Sequence, residues 1–76
     1  MMTREDFFKQ LNEHAITLQT MATKLAPNQE EAHKLYLETI YQALKNLSGI
    51  SRHQGFRPWV ILTMSRVFRN DLVYKA

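Results

Sequence analysis

The chain has 76 residues, 45% hydrophobic and 22% charged, with a formal net charge of +3. That length allows one small domain, burying only about 60% of its unfolded surface, and the apolar content argues against disorder. With no cysteine, disulfide staples and thiolate zinc sites are excluded, so stability has to come from well-packed helices, a partner, or both.

The first helix is expected over about residues 3–25. Thr3 with Asp6 three residues on makes a capping-box pattern, and the acid suits the positive end of the helix dipole. Phe7, Leu11, Ala15, Leu18, Ala22 and Leu25 recur at steps of four and three as one apolar face, which Phe8 and Met21 widen. Ala26-Pro27 ends the segment, because the residue before a proline disfavours helical geometry.

The second helix is expected over about residues 28–48. Asn28 is a good N-cap, and Glu31 completes a second capping box. Ala32, Leu35, Tyr36, Thr39, Ile40, Ala43, Leu44 and Leu47 form its stripe, and Gly49 suits the left-handed position that closes many helices.

A polar loop, residues 49–55, leads to a third helix over about residues 57–75. Pro58 lies in its first turn, where the missing N–H costs nothing. Trp59, Val60, Ile61, Leu62, Met64, Val67, Phe68 and Leu72 are apolar on more than one face; the run is too long and too unalternating for a strand. The fold class is therefore all-α, a compact three-helix bundle, with the broad third helix expected at its centre. Any part of that breadth left exposed is expected to be a partner surface.

Charge is uneven along the chain. Residues 1–48 hold five basic and six acidic side chains; residues 49–76 hold Arg52, Arg57, Arg66, Arg69 and Lys75 against Asp71 alone. A basic C-terminal third points toward polyanions. Catalytic patterns are missing. Ser48, Ser51 and Ser65 lack a nucleophile-elbow context, and His14, His33 and His53 have no second ligand at metal spacing. Glu30-Glu31 reads as compensation of the helix dipole. Gly49 and Gly55 are not followed by the Lys-Ser/Thr of a phosphate loop. The expectation is a binding protein with no cofactor or metal, not an enzyme. It is read as soluble and cytoplasmic, with no membrane span, no signal-peptide core and no cysteine.

Two stretches carry a resemblance. The first is Glu31-Ala32-His33-Lys34-Leu35-Tyr36-Leu37-Glu38-Thr39-Ile40-Tyr41-Gln42-Ala43-Leu44-Lys45-Asn46. The second is Phe56-Arg57-Pro58-Trp59-Val60-Ile61-Leu62-Thr63-Met64-Ser65-Arg66-Val67-Phe68-Arg69-Asn70-Asp71. In order and spacing they are similar to region 2 of the extracytoplasmic-function branch of the sigma-70 family of RNA polymerase sigma factors. The resemblance covers residues 29–74. It implies a sigma region-2-like domain that binds the β′ clamp helices of RNA polymerase core through the second helix, with Glu31, Leu35, Glu38 and Gln42 as contacts. It also implies contact with promoter −10 DNA by the segment before the third helix and by that helix. Arg52, His53, Arg57, Arg66 and Arg69 are the candidates there. Trp59 matches a family tryptophan, with core packing as its expected job.

The chain departs from the family at three places: His33-Lys34 replaces an acidic pair, Leu37 replaces a glutamine, and Met64-Ser65-Arg66 replaces Met-Arg-Asn. A lysine at a clamp contact opposes a basic partner. The chain also ends at Ala76, with no room for the second family domain that reads the −35 element. Three readings follow: a region-2 domain serving initiation; a region-2-like negative effector that occupies polymerase, a sigma factor or an anti-sigma factor; and a generic helical interaction or dimerisation module.

Overall fold

The computed structural model describes residues 3–47 and 55–75, with side chains up to residue 70. Three helices make up the described chain: α1 (Arg4–Leu25), α2 (Gln29–Lys45) and α3 (Phe56–Lys75), with no strand among the described residues. The radius of gyration is 12.2 Å, close to the ~11 Å of a compact chain of this length.

The helix starts follow from local chemistry. Thr3 Oγ1 accepts from the Asp6 N–H at 3.1 Å, and the Asp6 carboxylate accepts from the Thr3 N–H, so the capping box is formed in both directions. Asn28 Oδ1 accepts from the Glu31 N–H at 2.9 Å. Each cap satisfies donors that the first helical turn leaves without an intrahelical partner. Before Pro27, Ala26 is extended at φ −90°, ψ 152°, and ends α1.

The starts of all three helices shift by one residue, Thr3 and Asn28 serving as caps just ahead of α1 and α2, and the end of α2 shifts further. α2 stops at Lys45 because Asn46 closes it: its N–H reaches Ala43 O at 3.1 Å and its side-chain amide donates to Gln42 O at 2.9 Å. The expected stop at Gly49 lies outside the described residues. α3 starts one residue early, at Phe56, directly after Gly55 at φ +77°. That angle suits glycine and strains any L-residue. Pro58 remains within the first turn.

The middle element is α2, not α3. It packs against both neighbours to a similar extent, whereas α1 and α3 share a smaller contact. The cause is side-chain size. α2 buries Ala32, Leu35, Thr39 and Ala43, so its backbone is approached closely from two sides. α3 instead supplies bulk: Phe56, Trp59, Val60, Met64 and Val67 are buried in one core with Phe7, Leu18 and Ala22 of α1 and the small residues of α2. Breadth of apolar character did not mark the central helix; smallness did.

The buried Thr39 hydroxyl is satisfied by donating to Leu35 O at 2.7 Å, so this polar group costs little in the core. At the end of the bundle where α3 begins, Phe56 meets Phe7 edge-on at 5.6 Å and Trp59 at 6.4 Å. Trp59 is buried there. Phe8, expected to widen the core face, is half exposed and touches the core only through an edge contact with Phe7 at 5.4 Å.

Candidate functional site

Two helix surfaces carry the candidate residues. On α2, Glu31, Leu35, Glu38 and Gln42 recur at steps of four and three, so they share one edge of the helix. Burial divides them. Leu35 is 3% exposed and spent in the core, so it offers nothing to a partner in this conformation. Glu38 is exposed and Gln42 partly so; the Gln42 amide donates to the Glu38 carboxylate at 3.0 Å and holds it along the helix surface. Glu31 is partly buried, and its carboxylate lies 3.9 Å from Lys34 Nζ. Lys34 also lies 3.9 Å from Glu30, so the acidic start of α2 carries its own partial neutralisation.

The outward face of α2 holds two side chains that periodicity had not marked. Leu37 is 51% exposed and Tyr41 is 55% exposed. They are four residues apart, on the side opposite Leu35, Thr39 and Ala43. Lys45 Nζ sits 5.2 Å from the centre of the Tyr41 ring. The signal was present in the sequence: both residues fall half a turn out of phase with the buried stripe.

On α3, Arg57, Arg66 and Arg69 are all exposed, but they do not form one surface. Arg66 and Arg69 are three apart and share a face with Leu62, which is 39% exposed. Arg57 precedes Arg66 by about two and a half turns and so projects from the other side of the helix. Arg52 and His53 lie outside the described residues.

Two further features were not legible in the sequence. His14 of α1 stacks on Phe56 at 5.7 Å with an interplanar angle of 21°. A shallow cleft of about 340 Å³ opens between the end of α1 and the start of α2, lined by Gln19, Ala22, Thr23, Gln29, Ala32, His33 and Tyr36. Both features join residues distant in sequence. Among the described residues no group of three or more His, Asp and Glu side chains gathers as a metal site, and no helix is long and apolar enough to cross a membrane.

The fold and these surfaces define a three-helix bundle with an acidic, polar helix edge and an arginine pair on a different helix. Compared with known protein families, with curated proteins and with solved structures, the chain matches none.

Proposed function

We propose that this chain is a sigma region-2-like binding domain that engages RNA polymerase core through α2 and promoter −10 DNA through α3 and the segment before it. The observation that carries the reading is the segregation of charge between two helices. Glu31, Glu38 and Gln42 line one edge of α2, whereas Arg66 and Arg69 share a face of α3. Arg66 and Arg69 lie on the exposed side of α3, away from its buried residues; on α2, Glu38 is exposed, while Glu31 and Gln42 are partly buried at the border of the core face. An acidic helix edge suits a basic protein partner and steers its approach. Paired arginines suit phosphate, where they act by charge and carry no sequence information. With Trp59 buried, base recognition falls to residues 50–57, among them Arg52, His53 and Arg57.

A second reading, a region-2-like negative effector, is favoured by Lys34. Its ammonium lies close to both Glu30 and Glu31 and weakens the field that a basic clamp would meet. Such a protein binds polymerase and lowers transcription by another sigma factor.

Retention of RNA polymerase core on the immobilised domain tests both. Wild type is expected to retain polymerase and Glu38→Lys to lose about tenfold in affinity; no retention by wild type overturns both readings. Adding the domain to a transcription reaction with a resident sigma factor then separates them. Inhibition without new initiation supports the effector. For DNA, Arg66→Ala with Arg69→Ala is expected to weaken binding alike across sequences and to reduce the salt slope by about 1–2. An unchanged slope removes the phosphate contact.

A further inference from the structure

We infer that the outward face of α2 is a self-complementary seam that pairs with a second copy of this chain in antiparallel orientation. The inference stands on the surface of α2 alone and does not depend on the polymerase reading. Glu30, Lys34, Leu37, Tyr41 and Lys45 follow one another at steps of four, three, four and four. That is the spacing of a seam between two paired helices, here about 22 Å long at the α-helical rise. All five side chains are exposed, and the two apolar ones, Leu37 and Tyr41, lie in its middle.

The order of charges selects the partner and its direction. With a two-fold axis beside Leu37, an antiparallel copy sets Glu30 against Lys45 of the second chain at both ends. It sets Lys34 against the second Tyr41, a cation over an aromatic face, and brings the two Leu37 side chains together at the centre. Such a contact is isologous and closes at two copies. A parallel pair instead sets Glu30 on Glu30, Lys34 on Lys34 and Lys45 on Lys45, three like-charge contacts. The intrachain contacts that must loosen are long: Lys34 lies 3.9 Å from the exposed Glu30 and 3.9 Å from the partly buried Glu31, and exposed pairs of this kind contribute little. Lys45 already lies near an aromatic ring in the monomer, at 5.2 Å from Tyr41.

Pairing along a single helix belongs to the weak, transient class of interface, below about 1,200 Å², so self-association is expected at the upper end of the concentration range. Glu38 flanks the seam on the same helix, so self-pairing and any partner that uses that edge of α2 compete.

Sedimentation equilibrium of the whole chain from about 10 µM to 1 mM at low salt tests this, since screening weakens exposed charge pairs. The mass is expected to rise toward that of two copies. Leu37→Asp is expected to leave a monomer throughout. Glu30→Lys and Lys45→Glu are each expected to weaken the dimer about three- to tenfold, and the double variant, which restores opposite charges, to recover it. Circular dichroism confirms that each variant is folded, with Leu37→Gln as the milder substitute for Leu37→Asp. The proposal is overturned by a monomer at every concentration, by a dimer that ignores Leu37→Asp or is lost on Leu62→Asp instead, or by a double variant no tighter than the singles.

Discussion

α2 and α3 are helices of similar length, 17 and 20 residues, yet they serve the bundle in opposite ways. α2 buries small residues, Ala32, Thr39 and Ala43 beside Leu35, and is approached closely by both neighbours. α3 buries large ones, Phe56, Trp59, Val60, Met64 and Val67, and fills the volume between. The lesson is that position in a small bundle follows side-chain size, whereas stability follows buried apolar area. A third helix that is apolar on several sides looks central in sequence, but its width is spent on filling the core and on leaving Leu62 in solvent.

The contrast can be broken at both ends. The largest effect belongs to α3. Trp59→Ala is expected to cost about 3–5 kcal/mol, a large share of the roughly 4–11 kcal/mol available to a domain of this size. Urea titration reads it as a strong fall in midpoint or loss of the folded baseline. The next belongs to α2 and has the opposite cause. Ala43→Leu adds volume where two neighbouring helices converge, with an expected cost of about 1–3 kcal/mol from overpacking. If Ala43→Leu is stabilising, there is spare room beside α2 and its central position is wrong. The smallest effects are outside the core. Leu37→Ala and Leu62→Ala are each expected to shift stability by no more than about 0.5 kcal/mol, so losses of binding in these variants report on partners and not on folding.

Much of this frame was legible in the chain. Thr3, Asp6 and Asn28 announced the starts of α1 and α2, and Pro27 the end of α1, because caps and pre-proline geometry are set within four residues. The α2 stripe from Ala32 to Leu44 also fell as expected, since a clean amphipathic helix has one phase to read. α3 has no such clean phase, so the exposure of Leu62 could not be read from periodicity. The resemblance joins Arg57 to Arg66 and Arg69 as DNA contacts; helical phase puts it on the other side of α3. The resemblance joins Leu35 to Glu31, Glu38 and Gln42 as polymerase contacts, whereas in the bundle Leu35 packs into the core. The aromatic contact of His14 with Phe56 joins residues 42 apart in the chain and had no local signature.

On the proposed reading, a face of α2 serves polymerase and a face of α3 serves DNA. The most direct test is a titration of immobilised domain with RNA polymerase core, comparing Glu38→Lys on α2 with Arg66→Ala/Arg69→Ala on α3. The α2 variant is expected to lose about tenfold in polymerase affinity while the α3 variant stays within about twofold of wild type. Failure of wild type to bind polymerase, or equal losses from both faces, would contradict this reading.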